Sequence, residues 1–137
     1  MPSLTSWRSG RAGERGTIAL EAVVIFPLVI LLAWVGMQLV LIHLANRVAL
    51  AAAAEGARAA RVHTGSTAAG EQRARRYLAD LGGSLLVGPA VHATRGPDSA
   101  SVAVSGQAER IVPIIPLRVR QVVEGPVERF EGERAPR

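Results

Sequence analysis

The chain has 137 residues, of which 49% are hydrophobic, and its net charge at pH 7 is +5. All of its basic residues are arginine, and it has no cysteine, which excludes disulfides, thiolate metal sites and cysteine nucleophiles. The basic balance favours anionic surfaces in general, without selecting among lipid headgroups, nucleic acid and cell-wall polymers.

An uncharged segment at residues 22–46 predicts a transmembrane helix. Within residues 22–42 this segment is apolar except for Gln38 and for one glycine and one proline position. At about 1.5 Å per residue, it spans the roughly 30 Å hydrocarbon core of a bilayer. A buried helix of a soluble core is the alternative, but a domain of this size cannot surround so long an apolar helix.

Glu21 stands at the N-terminal end of this segment, where an ionisable side chain carries a burial cost. Such an acid is a functional candidate that needs a cation as its partner. Alternatively, it is a helix N-terminal acid that the helix dipole and hydrated headgroups stabilise. Pro27 lies inside the predicted helix, removes one backbone hydrogen bond and predicts a kink.

An alanine-rich segment at residues 47–61 predicts that the long helix continues beyond the membrane. Ala52, Gly56 and Ala60 recur every four residues in it. This spacing predicts a small-residue face that lets another helix approach closely, or it reflects only the alanine content.

A short amphipathic helix is predicted at residues 68–81, after a break at residues 63–66. Its polar side carries three arginines, Arg73, Arg75 and Arg76. These form a solvated face, or they contact lipid headgroups or an acidic partner.

Short alternating runs follow two glycines, and they predict three strands, at residues 84–94, 101–112 and 117–124. A turn is predicted at residues 96–98, and Pro113 and Pro116 separate the last two strands, although Ile111 and the residues up to 115 also have strand character. We expect a small antiparallel sheet packed on the C-terminal half of the long helix, followed by a disordered tail at residues 131–137. The predicted fold class is therefore α+β.

No residue pattern in the chain is typical of catalysis or cofactor binding. His43, His63 and His92 lie on different predicted elements, with no carboxylate or cysteine at a ligand spacing. No phosphate-binding loop follows a strand, and no nucleophile elbow is present. Few aromatic residues are available for base stacking, so direct nucleic-acid binding is not expected. We predict that the protein is not an enzyme and needs neither metal nor cofactor.

Residues 14–21, Glu-Arg-Gly-Thr-Ile-Ala-Leu-Glu, resemble a type IV prepilin processing site, in which a peptidase cuts after glycine and a glutamate stands fifth in the mature chain. Gly16 and Glu21 have this spacing. With Pro27 in the helix and Glu-Gly-Ala-Arg at residues 55–58, the chain is similar over about residues 14–62 to the TadE-like minor pseudopilins of tight-adherence pilus systems. Ala22 stands where the major pilins of such systems usually have tyrosine, which favours a minor subunit.

The resemblance implies a membrane-anchored structural subunit of a Tad/Flp-type pilus or a related secretion apparatus. It implies cleavage between Gly16 and Thr17 by a prepilin peptidase, for which a residue without a side chain gives access to the backbone. Its other partners are then pilins, pseudopilins and platform proteins of pilus assembly. It also implies that Glu21 pairs with the N-terminal amine of a neighbouring subunit, which offsets the burial cost of the carboxylate in a helix bundle.

Arginines flank both ends of the predicted anchor, so the positive-inside rule hardly decides its orientation. The resemblance implies a single-pass protein of a bacterial cell membrane, with its N-terminus in the cytoplasm. The expected regions are a cytoplasmic leader (1–16), a transmembrane helix (17–46), an extracytoplasmic helical region (47–82), a small β-rich region (83–130) and the tail (131–137).

Two other interpretations remain open. The chain is a secreted or membrane-tethered binding module unrelated to pili, in which residues 51–53 offer an A-x-A-like signal cleavage site, or it is an unprocessed single-pass anchor. The length of the hydrophobic region and the acid near its start count against a signal sequence.

Overall fold

A computed structural model of the chain describes residues 12–111 and 117–128, with side chains from residue 21 onward. In chain order its elements are α1 (Ala12–Arg61), α2 (Thr67–Tyr77), a π-helical turn (Leu78–Gly82), β1 (Leu86–Arg95), β2 (Ser99–Ala108) and β3 (Arg118–Pro126). A long apolar helix, a second short helix and a small antiparallel sheet confirm the predicted α+β class.

The chain divides into two compact units, Met1–Gly36 and Met37–Arg137. The first unit is described as the N-terminal part of α1, and the second, the folded unit, holds the rest of α1 and every later element. Residues 1–11 of the predicted leader, the predicted breaks at Pro113 and Pro116, and the predicted tail lie outside the described residues.

The three strands form an antiparallel sheet in the order β1-β2-β3. A tight turn joins the first two strands where the sequence predicts one, and the amide of Gly96 donates to the carbonyl of Ser99 at 2.8 Å. The register of β1 on β2 shifts between Val87 and Ala90. Gly88 lies in this bulge with a φ of 59°, a left-handed conformation that glycine adopts without strain from a Cβ atom.

One face of the sheet packs against the second part of α1 and against α2. The helix contributes small buried side chains, spaced by one to four residues: Ala45, Ala49, Ala52, Ala53, Ala57 and Ala60. The sheet contributes larger ones, and Val102, Val104 and Val119 are fully buried. Because alanine keeps the helix backbone close to the sheet, the branched valines fill the space between the two layers.

The small-residue face of α1 is covered by α2 and β2 of the same chain. A Cβ atom added at Gly56 would stand 2.8 Å from the carbonyl oxygen of Gly70 and 3.1 Å from Cγ1 of Val102. A Cβ atom added at Gly70 would stand 3.0 Å from Cβ of Ala60. The helix that lies close to Gly56 and Ala60 is therefore α2. Ala52 is fully buried as well, so all three residues lie inside the folded unit.

Carbonyl groups at the C-terminal end of α1 accept hydrogen bonds from residues that are distant in the sequence. Nη1 of Arg95, at the end of β1, donates to the carbonyls of Ala60 and Val62. The amide of Glu128, after β3, donates to the carbonyl of Arg61 at 3.0 Å. The last four carbonyls of an α-helix have no partner within the helix, so these bonds satisfy groups that would otherwise need water.

Two predicted boundaries need correction. The amphipathic helix predicted at residues 68–81 is α-helical only to Tyr77 and ends in the π-helical turn. The strand predicted at residues 101–112 ends at Ala108, and Ile111 lies outside any strand. The amide of Ile111 donates instead to the side chain of Gln38 at 2.9 Å, a long-range contact that apolar alternation does not reveal.

Gly56→Ala is expected to destabilise the folded unit by about 1–3 kcal/mol, because the added methyl group meets a backbone oxygen that has no rotamer to change. Alanine is also the better helix former, by about 1 kcal/mol, and this alone would stabilise the variant. A net loss of stability would therefore come from the steric conflict at this position. Thermal unfolding of the full chain in detergent micelles, followed by circular dichroism, measures the effect. Gly36→Ala is the control, since nothing lies within 4 Å of that position. A Gly56→Ala variant as stable as the unmodified chain would contradict the close packing.

Candidate membrane anchor and the polar groups around it

Residues 21–37 of α1 have no other described element packed over them. Every side chain from residue 21 to 37 is exposed, and those of Val24 and Phe26 are 69% and 68% exposed. Soluble monomers rarely expose contiguous apolar patches larger than a few hundred Å². Within the described residues, one helix, near the N-terminus, is long and apolar enough to cross a membrane. This segment matches what a bilayer requires of a spanning helix.

Glu21 lies on α1 directly before the apolar residues, and its side chain is exposed. The ion pairs among the described side chains are Glu55 with Arg58 and Arg73, and Glu71 with Arg75, so none of them includes Glu21. A carboxylate in this position is accessible to a group outside the described chain.

The other residues predicted for processing and bending lie on the same helix. Gly16 and Thr17 are within α1, which begins at Ala12, and the structure describes only the backbone at these positions. Pro27 is inside α1, and the helix continues through it. Its ring nitrogen carries no hydrogen, so it cannot donate the backbone hydrogen bond that other residues make at that point of a helix.

Gln38 is the buried polar side chain of the described residues, with 8% of its surface exposed. Its Nε2 donates to the carbonyl of Glu109 at 3.2 Å, and its Oε1 accepts from the amide of Ile111 at 2.9 Å. The side-chain amide therefore donates from its nitrogen and accepts at its oxygen on the backbone of residues 109–111, here called the turn after β2. In the sequence, Gln38 stands out only as an interruption of the apolar segment. A single amide within an apolar run is nevertheless a sign that its side chain has a hydrogen-bond partner in the folded protein.

Asn46, two helical turns after Gln38, joins α1 to the last strand. Its Nδ2 donates to the carbonyl of Ile42 at 2.9 Å, and its Oδ1 accepts from Nε2 of Gln121, on β3, at 2.9 Å. One amide of α1 thus bonds to the backbone after β2 and a second one bonds to β3, and together they fix the position of α1 along the strands.

The predicted arginine face of α2 is largely paired with acids of the same chain. Arg73 lies 3.4 Å from Glu55, and Arg75 lies 3.1 Å from Glu71. Exposed pairs of this kind contribute about 0–1 kcal/mol each. Glu71 also accepts a hydrogen bond from the amide of Ala93 at 3.2 Å and so covers part of the outer edge of β1. Arg73, Arg75 and Glu71 of α2 therefore have partners within the folded unit.

Two further findings bear on function. In the part of the chain that the structure describes, no three histidine, aspartate or glutamate side chains come together as a metal site. Comparison with protein-family models, curated proteins and solved structures finds no match to this chain.

Leu32→Asp is expected to reduce the membrane-integrated fraction of the chain, because an aspartate near the centre of a spanning helix costs about 2.5–3.5 kcal/mol on insertion. Leu32 is 61% exposed. Alkaline carbonate extraction of membranes from expressing cells measures the integrated fraction. Val122→Asp is the matched control, since Val122 is 52% exposed and lies on β3. Equal integration of both variants would exclude α1 as a membrane span.

Proposed function

We propose that the chain is a TadE-like minor pseudopilin, a membrane-anchored structural subunit that contributes to assembly of a Tad/Flp-type pilus or a related secretion apparatus. One observation carries this proposal: the uncovered apolar part of α1 begins directly after an exposed carboxylate, Glu21. The sequence around Gly16 and Thr17, which resembles a prepilin processing site, adds to it.

An exposed apolar helix suits a subunit that moves between lipid and an assembly of similar helices. Lipid tails are as apolar as leucine, so transfer of the helix from lipid into a helix bundle changes little in hydrophobic free energy. Close packing and polar contacts then decide whether helices associate. In a bundle of anchors, Glu21 is the polar group next to the apolar surface.

Cleavage after Gly16 leaves Thr17 as the first residue and gives the chain a cationic amine at its N-terminus. In the proposed assembly, this amine of one subunit pairs with the Glu21 carboxylate of its neighbour. A buried charge is stable only when it is paired and hydrogen-bonded, so each pair offsets the burial of both groups. The leader is then cytoplasmic, and the folded unit lies on the opposite side of the membrane.

Co-expression with a prepilin peptidase and mass spectrometry of the purified chain tests the proposal. The expected mature N-terminus is Thr17, and Gly16→Ala is expected to leave most of the chain uncleaved, because a side chain at the scissile position blocks approach to the backbone. An intact N-terminus in the unmodified chain would favour a plain membrane-tethered module. A start after the alanines at residues 51–53 would favour a secreted module.

Glu21→Gln is expected to leave membrane integration unchanged and to reduce association with other pilins and pseudopilins at least several-fold. The substitution preserves the shape of the side chain and removes the charge that the amine needs. Crosslinking in membranes that contain the whole assembly apparatus measures association, and carbonate extraction measures integration. Glu55→Gln is the control, since Glu55 pairs with Arg58 and Arg73 inside the folded unit. Undiminished crosslinking of the Glu21 variant would exclude the proposed role of this carboxylate.

A further inference from the structure

The folded unit begins inside the apolar segment and not after it. A bilayer span needs about 20 residues, and about 20 residues counted from Ala22 end near Leu41. Gln38 falls within that length, yet its side chain is buried against the turn after β2. A tilted helix needs more residues to cross the core, which places Gln38 still deeper. The two hydrogen bonds of Gln38 therefore hold this turn at the level where α1 leaves the membrane.

Around Gln38, the sides of α1 that face away from the turn have no described element packed on them. Leu39 and Val40 are 62% and 52% exposed, although they are the next residues after Gln38. Lipid can therefore reach the helix on these sides, while the side of Gln38 is occupied by the turn. The turn is continuous with a lipid-accessible part of the helix surface.

The turn and the neighbouring end of the sheet combine apolar and cationic side chains. Ile111 is 43% exposed and Arg110 is exposed, directly beside the Gln38 contact. Val87, at the start of β1, is 50% exposed and lines the same shallow cavity as Arg110. The acid at this end, Glu109, is half-buried and lines that cavity as well. Apolar groups beside arginine suit the membrane interface, where the apolar part inserts and the guanidinium binds lipid phosphate.

We propose that this end of the sheet, formed by Val87, Arg110 and Ile111 and here named the sheet tip, is a second membrane contact of the folded unit. The bilayer surface is its partner: Ile111 inserts at headgroup level, and Arg110 binds phosphate groups. A single helix leaves a folded unit free to tilt on the membrane, and a second contact removes that freedom. The inference rests on the membrane anchoring contained in the proposed function.

The absence of cysteine makes the test direct, since one introduced cysteine carries one label. Full-length Ile111→Cys, Val122→Cys and Val40→Cys chains are labelled with an environment-sensitive fluorophore. They are reconstituted in vesicles of phosphatidylcholine and phosphatidylglycerol, with and without spin-labelled lipid. Val122 is the matched control because it is an exposed aliphatic residue on β3, and Val40 reports the anchor. Quenching by the spin-labelled lipid is expected to be several-fold stronger at positions 111 and 40 than at position 122.

The outcomes separate the inference from the proposed function. If position 111 is quenched no more than position 122 while position 40 is quenched, the sheet tip does not contact the membrane, and anchoring stands. If position 40 is not quenched either, membrane anchoring is wrong and the inference fails with it.

The role of Gln38 has a separate test in the Ile111→Cys chain. Gln38→Leu removes both hydrogen bonds and keeps a side chain of similar size, so quenching at position 111 is expected to fall toward the value at position 122. Position 40 in the same background serves as its control and is expected to keep its quenching. Undiminished quenching at position 111 would show that Gln38 does not hold the sheet tip at the membrane.

Discussion

The folded unit depends on the close approach of the α1 backbone to α2 and β2. Gly56 permits this approach, since even one methyl group there would meet the backbone oxygen of Gly70. With the helix at this distance, Val102 contacts both helices and is fully buried, and the guanidinium of Arg95 reaches the last carbonyls of α1. Larger side chains along this face would hold the helix away, and the core and the helix end would lose their partners together.

Polar contacts then fix how α1 lies on the sheet, because small side chains alone specify its position poorly. Gln38 bonds to the turn after β2, Asn46 bonds to Gln121 on β3, and Arg95 bonds to the end of the helix. Each contact joins residues that are far apart in sequence, and the bonds of Gln38 and Asn46 satisfy partly buried polar groups. Alanine therefore sets the separation of the two layers, while these amides and this arginine set their register.

Local patterns explain why part of this architecture was predictable. The apolar run, the alanine-rich continuation and the strand alternation each follow from the surroundings of neighbouring residues, so they indicated the helices and the sheet. The contacts of Gln38 and Arg95 bridge more than 30 positions, and no local pattern contains that information. The end of β2 is an example. The alternation of apolar and polar residues predicted a strand through Ile111, but β2 ends at Ala108 and the amide of Ile111 bonds to Gln38 instead. The spacing of residues 52, 56 and 60 predicted a small-residue face, but it did not indicate that α2 lies against Gly56.

Glu21 and Gln38 stand at the two ends of the exposed apolar segment of α1, and they differ in how much it costs to place each side chain in apolar surroundings. The segment between Glu21 and Gln38 comprises residues 22–37, somewhat fewer than the about 20 residues that cross a hydrocarbon core. If α1 crosses the bilayer as proposed, one of the two groups lies at or inside the edge of the core. The nitrogen and the oxygen of the Gln38 amide each have a hydrogen bond within the protein, so apolar surroundings cost this side chain less than they cost a carboxylate, which needs water or a cation. In that arrangement Gln38 is expected to be embedded and Glu21 hydrated, which leaves the carboxylate accessible to groups outside the chain.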